Sequence, residues 1–255
     1  MQKRNTQQRR RHIVDLLTEH GEVSVDQLAQ RLATSEVTIR KDLAALESNG
    51  LLLRRFGGAV PVPQEIISPA IEEKVSKRKQ ALAQAAASLI RDHNRIIIDS
   101  GSTTSALLPE LIAKNGLVVM TNSLSIADAI HELENEPTLL MTGGTWDPRS
   151  ESFQGKLAEQ VLRAYDFDQL FIGCDGIDLA SGTTTYNELY SLSQVMAEVA
   201  REVVVMAESD KVGRKIHNLE LPWSAISVLI TDTALSDEAT RIIEQQGVRV
   251  IRAAE

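Results

Sequence analysis

Val23 to Val60 reads VSVDQLAQRLATSEVTIRKDLAALESNGLLLRRFGGAV, two helical apolar repeats separated by a tight turn and followed by paired glycines. Val25, Leu28 and Leu32 recur with helical period, and Ile39, Leu43 and Leu46 do so again at i, i+4 and i+7. Upstream, Ile13, Leu16 and Leu17 mark an earlier helix, so three short helices share one small core. Ser24 with Gln27 three residues later is a capping-box pattern for the second helix, and Ser35 is placed to cap the third after the Ala33-Thr34 turn. A connection that short predicts helix-turn-helix.

Burying Ile39, Leu43 and Leu46 leaves Val37, Lys41, Ala44 and Ser48 on the opposite face of the third helix, flanked by Thr38 and Arg40, with Ser35 at its start. Small and β-branched residues let a helix approach base edges and touch thymine methyls, while Arg40 and Lys41 reach guanine edges or phosphates. The run Leu51 to Phe56, then Gly57-Gly58 and Ala59-Val60, predicts a β-hairpin wing that lays Arg54 and Arg55 beside a phosphate backbone. Motif and wing together favour duplex DNA over a protein-contact module.

Charge agrees once the chain is divided. Residues 1 to 60 hold ten Lys/Arg against seven Asp/Glu, whereas the remainder holds 17 against 28. A basic head on an acidic body orients a molecule on polyanionic duplex. The Arg9-Arg10-Arg11 cluster is expected either to touch the backbone or to lie solvated.

The stretch Ser35 to Leu43, preceded by Val23-Ser24-Val25 and followed by Phe56-Gly57-Gly58-Ala59, resembles the amino-terminal domain of DeoR-family bacterial repressors, and the likeness runs through nearly the whole chain. It implies a transcriptional repressor of a sugar or polyol operon. The expected domains are a winged helix-turn-helix at 1–60, a linker at 61–69 where Pro61, Pro63 and Pro69 block helix, and an effector domain at 70–255.

With 255 residues, 43% hydrophobic and 24% charged, the chain suits a small head plus one substantial globular domain. No run approaches the roughly 20 apolar residues of a membrane span, and the polar start lacks a secretory apolar core, so the cytoplasm is expected. The single cysteine, Cys174, cannot form an intrachain disulfide and reads as a buried small residue. The five histidines show no zinc spacing, so neither metal nor cofactor is expected. Trp146 and Trp223 are open between core, pocket and interface.

Beyond a helix at about 71–91, apolar runs at 95–98, 117–120, 138–141, 170–173, 203–206, 228–230 and 248–251 alternate with helical stretches. Continuous apolar strands between helices predict a parallel sheet covered on both faces, an α/β doubly wound domain. Its ligands belong beyond the strand carboxyl ends. Those ends carry Asp99-Ser100-Gly101-Ser102-Thr103-Thr104, Thr121-Asn122-Ser123, Thr142-Gly143-Gly144-Thr145, Cys174-Asp175-Gly176-Ile177-Asp178 and Glu208-Ser209-Asp210-Lys211.

A glycine and four hydroxyls leading into a helix near Ser105 suit an anion such as phosphate, although hydroxyls also cap helices that bind nothing. The loop is not a P-loop, because no Gly-Lys-Ser/Thr follows. Asp175 and Asp178, with Glu188 and Lys211, admit three readings. They accept sugar hydroxyls beside a lysine that pairs an anion; they form an isomerase-like acid and base set; or they are a turn aspartate and surface ion pairs.

The second half resembles the DeoR-family effector domain, which implies a fold similar to ribose-phosphate isomerase and glucosamine-phosphate deaminase. On that resemblance Asp99 to Thr104 is the phosphate loop and Gly173 to Asp178 a remnant of the isomerase acid motif. Ser102, Thr103, Asp175, Lys211 and Glu188 then take the effector, with Asn122, Gly143 and Gly144 among the effector-binding residues. The runs 120–124, 175–179 and 184–188 are most similar to the glucitol operon repressors of that family, a pointer to hexitol or hexose phosphates. The fused head, and the lack of a second Gly-rich loop carrying a lysine, favour binding without turnover over a sugar-phosphate isomerase. Reading a two-fold operator requires a homo-oligomer, dimer or tetramer.

Overall fold

The computed structural model describes residues 9, 10, 12–14, 16, 17, 21–48, 52–55, 57–60, 76–187, 190–214 and 216–254. The chain divides into two compact units, Met1–Ile71 and Glu72–Glu255. The linker expected at 61–69 lies outside the described residues.

The first unit begins with α1, helical at the described residues between 9 and 17. It continues through β1 (Val23–Ser24), α2 (Val25–Arg31), α3 (Glu36–Ser48), β2 (Leu53–Arg55) and β3 (Gly58–Val60). The capping box forms as expected: the Ser24 hydroxyl accepts the Gln27 N–H, and the Gln27 side chain accepts the Ser24 N–H. The turn between α2 and α3 puts Ala33 in the left-handed region at φ 46°. Thr34 N–H then bonds the Ala29 carbonyl and Ala33 N–H the Gln30 carbonyl, which closes the last turn of α2. Ile13, Leu17, Val25, Leu28, Ile39, Leu43 and Leu46 are all buried in one core with Leu52 and Ala59.

Strand β3 lies between β1 and β2, antiparallel to both. Gly58 is required there, since a Cβ would come within 2.6 Å of the Val23 carbonyl oxygen. Gly57 at φ 86° makes the turn.

One acid on α3 is buried. Asp42 is 2% exposed, and such a carboxylate is costly unless it is paired. Arg9 and Arg10 of α1 supply the pair, their Nε atoms reaching Oδ2 and Oδ1 at 2.5 and 2.8 Å. This corrects the expectation that these two arginines reach for phosphate or stand in solvent, because both neutralise a buried acid inside the unit. Arg11 lies outside the described residues.

The second unit runs α4 (Lys77–Ala87), β4 (Arg95–Ile98), α5 (Ser102–Ser105), a 3₁₀ turn Leu108–Ala113, β5 (Val118–Thr121), α6 (Leu124–His131) and β6 (Thr138–Met141). There follow β7 (Thr145–Asp147), β8 (Ser152–Gln154), α7 (Lys156–Leu162), β9 (Phe167–Ile172), β10 (Gly176–Asp178) and β11 (Gly182–Thr185). The chain continues with α8 (Ser191–Glu198), β12 (Ala200–Met206), β13 (Asn218–Pro222), β14 (Val228–Asp232), α9 (Asp237–Gln245) and β15 (Arg249–Ala253). Seven strands form one sheet in the order β15-β14-β12-β9-β4-β5-β6, and every pairing in it is parallel.

Alternate residues of each strand serve two cores. Ile97, Leu170, Ile172, Val203, Val205 and Leu229 face α7, α8 and α9. Ile96, Ile98, Phe171, Val204 and Ile230 face α4, the 3₁₀ turn and α6. Each such side chain contributes about 1.5–3 kcal/mol of burial, so the two-sided apolar strands hold the sheet between helical layers. The alanines Ala81, Ala83, Ala86 and Ala87 of α4 are all buried.

All seven expected sheet strands are present, 95–98 and 138–141 with the expected ends and the other five with shifted ones, Leu170–Gly173 for example becoming Phe167–Ile172. The helix expected at 71–91 is observed as α4, with 71–75 outside the described residues. Two small antiparallel elements were not legible: the β7-β8 hairpin and the three-stranded sheet β10-β11-β13. Their strands are three to five residues long, too short to show an apolar period. Trp223 belongs to the core, with its indole N–H on the Leu179 carbonyl at 3.0 Å. Trp146 is 41% exposed and stands edge-on to Phe153 on β7-β8.

Replacing Asp42 by Asn keeps the shape but removes the charge that holds Arg9 and Arg10, and should destabilise the first unit by about 1–3 kcal/mol. Urea unfolding followed by circular dichroism checks this; an unshifted midpoint would show that the clamp holds nothing.

Candidate functional site

In the first unit α3 presents Val37, 60% exposed, with Arg40 and Lys41 also exposed and Thr38 and Ala44 half-buried. The Ser35 hydroxyl accepts the Thr38 N–H at 3.3 Å and lies 2.9 Å from the Thr38 hydroxyl, which fixes the start of the helix. Arg40 is held by Glu36 one turn earlier at 2.7 Å. An exposed i,i+4 pair is worth only ~0.3–0.5 kcal/mol, so Arg40 is released to a stronger acceptor at little cost. Arg54 donates its N–H to Glu47 Oε1 at 3.0 Å and pairs its guanidinium with the same carboxylate at 3.7 Å, which ties the wing to the end of α3. The side chains of Ser48 and Arg55 lie outside the described residues.

In the second unit the chain leaves β4 toward β5 and β6 on one side, then returns to place β9 on the other side of β4 and proceeds outward through β12, β14 and β15. The order therefore reverses between β4 and β9, and the crevice beyond their carboxyl ends is where such sheets hold ligands. Asp99 follows β4 and Asp175 follows β9.

Asn122, 1% exposed after β5, braces the β4 exit. Its amide N–H donates to Asp99 Oδ1 at 2.7 Å, its Oδ1 accepts the Ser100 N–H at 3.0 Å, and its carbonyl accepts the Phe153 N–H at 2.7 Å. Both amide ends are committed, so Asn122 positions the loop. Gly101 at φ 136° starts α5, which begins at Ser102 rather than near Ser105 and is only four residues long. The Thr104 and Ser105 hydroxyls both donate back to the Gly101 carbonyl, and no side chain caps the start of α5. Ser102 differs: its hydroxyl accepts from Lys79 Nζ of α4 at 2.8 Å.

Asp175 Oδ2 accepts the Thr185 hydroxyl at 2.8 Å and the Tyr186 N–H at 3.0 Å. Lys211, 4% exposed, donates to the Cys174 carbonyl at 2.8 Å, one residue from Asp175. Its short turn is anchored by Ser209, whose N–H and hydroxyl both bond Asp232 at the end of β14. Cys174 is buried, as expected.

Glu220 on β13 is the third acid of this corner. Its carboxyl is raised from 4.5 to about 8 by burial and then by the charges of Asp99 and Asp175. Asp99 is raised from 3.8 to about 6, by burial first, against the lowering effect of Asn122 and Ser100 and with Asp175 adding to the rise. Three carboxyl groups from three separate elements thus feel one another.

The structure brings together Asp99, Ser100, Asn122 and Asp175, with Lys211 beside them and Ser102 at the loop. Asp178 is not part of this set: it closes the β10-β11 turn, accepting the Ser181 hydroxyl at 2.7 Å and the Ala180 N–H at 3.0 Å. Asp178 therefore takes the turn reading, at the far end of the hairpin from Asp175. Gly144 answers a packing demand, since a Cβ would lie 2.5 Å from the Gln154 carbonyl; Gly143 adopts φ 59° beside it. Glu188 lies outside the described residues. Sequence reasoning missed Lys79, Thr185 and Glu220. Lys79 sits on α4 away from any strand end, and Glu220 lies on a strand the apolar period does not reveal. Among the described residues no group of three or more His, Cys, Asp or Glu is arranged to hold a metal ion, and no helix is long and apolar enough to cross a membrane.

Residues 9–65 match the DeoR-like helix-turn-helix domain and residues 74–233 the DeoR C terminal sensor domain. The chain is 36% identical to a putative aga operon transcriptional repressor of Escherichia coli O157:H7, over 98% of this chain and 95% of the relative. It is 34% identical to the HTH-type transcriptional regulator GlpR of Haloferax volcanii, over 96% of each. Among solved structures it is distantly similar to ribose 5-phosphate isomerase A from Neisseria gonorrhoeae, at 13% identity and TM-score 0.40 over 54% of both chains.

The raised acids set a pH dependence. Between the ordinary carboxyl range and about 8 the folded unit holds the Glu220 proton that the unfolded chain has released, so stability is full at low pH and is lost as pH rises through that window. The melting temperature should fall from pH 6 to pH 8 in the wild type and less in Glu220→Gln. Equal slopes for the two proteins would contradict the assignment.

Proposed function

The chain belongs to the DeoR family of transcriptional regulators, and from that footing we propose that it represses a sugar or polyol operon and releases it on binding a phosphorylated sugar or polyol. The single observation that carries the effector reading is the meeting of a phosphate-type loop and an acidic, hydroxyl-accepting corner at the switch point between β4 and β9. Ser100 to Ser102, with the N–H groups of the first turn of α5 and the Lys79 ammonium, suit the phosphate. Asp99 and Asp175 suit hydroxyls, and Lys211 steadies the Cys174-Asp175 backbone. Thr103 and Thr104 are buried behind the loop, Gly143 and Gly144 are proposed from their place after β6, and Glu188 is proposed on resemblance alone.

On the DNA side Val37, Thr38, Ala44, Arg40 and Lys41, with Ser35, are proposed to meet the major groove, while Arg54 and Arg55 flank the backbone. Two heads are needed for operator specificity, so the working form is a homo-oligomer, a dimer or tetramer acting in the cytoplasm. Effector binding shifts the arrangement of subunits and takes the paired heads out of operator register. Hexose and hexitol phosphates are the first effectors to test, the glucitol likeness pointing to the latter.

Binding without turnover fits the site. Asp175, the base an isomerase would need, has Oδ2 held by Thr185 and Tyr186. Product analysis after incubation with pentose and hexose phosphates checks this, and turnover that vanishes in Asp175→Asn would reverse it.

Two substitutions separate the halves. Arg40→Ala should weaken operator binding by about 1–3 kcal/mol and leave effector binding intact. Lys79→Ala or Ser102→Ala should leave operator binding intact and blunt its release by sugar phosphate. Gel-shift titrations with and without effector read both; a loop variant that responds as the wild type does would remove the loop from the site.

A further inference from the structure

One atom of the acidic corner is left without a partner by the protein itself. Glu220 is 6% exposed; its Oε1 accepts the Ser193 hydroxyl at 2.9 Å, and its buried Oε2 has no hydrogen-bond partner. Its strand β13 pairs with β11, whose Thr184 carbonyl and Thr185 hydroxyl both bond Asp175, so Glu220 lies beside that corner and feels the charges of Asp99 and Asp175. The Ser193 hydroxyl of α8 and the Thr183 hydroxyl of β11 both favour the charged carboxyl, but neither is a cation that offsets the acids. Protein-buried polar atoms are nearly always satisfied, and an exception at the edge of a ligand crevice is what a ligand group completes.

We propose that Glu220 is a specificity-determining residue of the effector site, reading a hydroxyl of the ligand together with Asp99 and Asp175, and restricting effectors to phosphorylated sugars and polyols with an uncharged body. This deepens the effector reading above and rests on it. The Ser100-Ser102 loop and Lys79 take the phosphate, Asp99 opens that loop, and Asp175 and Glu220 belong to the side built by β11 and β13. A phosphorylated sugar acid seated the same way would bring its carboxylate against Asp99 and Asp175. Burial keeps Glu220 protonated near neutral pH, so one carboxyl both donates and accepts toward a hydroxyl.

The test is calorimetric titration of the full-length protein with a hexitol 6-phosphate, a hexose 6-phosphate, the matching 6-phosphohexonate and inorganic phosphate. The wild type should prefer a hexitol or hexose phosphate over the hexonate on the order of a hundredfold, as like-charge juxtaposition demands. Glu220→Leu should lose roughly tenfold for the preferred ligand with its affinity for inorganic phosphate unchanged. Glu220→Gln, which keeps a donor and an acceptor, should bind within about threefold of wild type. It should also lack the fall in affinity that the wild type shows as pH rises through about 8. Should the Leu variant not fold, the Gln variant and its pH profile decide. Equal affinity for hexonate and preferred ligand, or a Gln variant that keeps the wild-type pH profile, would overturn the role of Glu220 alone. Wild-type protein that binds none of the sugar phosphates would overturn the effector reading and this inference together.

Discussion

The parallel pairing of β4 with β9 is the constraint on which the second unit depends. It joins the first strand of the sheet to one that arrives only after two further strands have been laid down on the opposite side. That return leaves a crevice at the carboxyl edge, because the connections leaving β4 and β9 depart in opposite directions. Asp99 and Asp175 stand on its two lips, and Asn122 braces one of them by bonding Asp99 and Ser100 at once. The paired apolar cores above and below the sheet make those lips rigid, so the acids are held together although their charges oppose one another.

The first unit rests on a different arrangement of the same physics. A buried acid on α3 is matched by two arginines of α1, so that the helix presenting Val37, Arg40 and Lys41 is held by charge as well as by Ile39, Leu43 and Leu46. The exposed pair Arg40–Glu36 is the opposite case, cheap to break and therefore available to a partner. The two kinds of ion pair divide one helix between residues that hold its place and one left available to a partner.

Much of this was legible in the sequence, and the reasons are specific. The 3.6-residue period of α2 and α3, the Ser24-Gln27 box and the glycines of the wing each encode a local rule, and each is obeyed. The apolar strands of the parallel sheet were equally plain because both of their faces are buried. What escaped was non-local. Nothing in Lys79 announces that α4 carries it to Ser102, and Glu220 sits in a strand whose neighbours alternate too briefly to read. Asp178 misled for the converse reason: an Asp-Gly-Ile-Asp run is chemically suggestive, yet its second acid serves the hairpin turn. The arginine cluster at 9–11 looked like a surface feature, because a sequence does not show that Asp42 is buried.

The central claim is that this chain reads DNA and reports a phosphorylated sugar or polyol to it. The most direct test is selection of fragments bound by the purified full-length protein from randomly sheared genomic DNA, followed by their sequencing, with and without a panel of sugar phosphates. The account predicts enrichment of a two-fold site beside genes for sugar or polyol use, and loss of that enrichment with at least one phosphorylated member of the panel. No enrichment at low salt would contradict it.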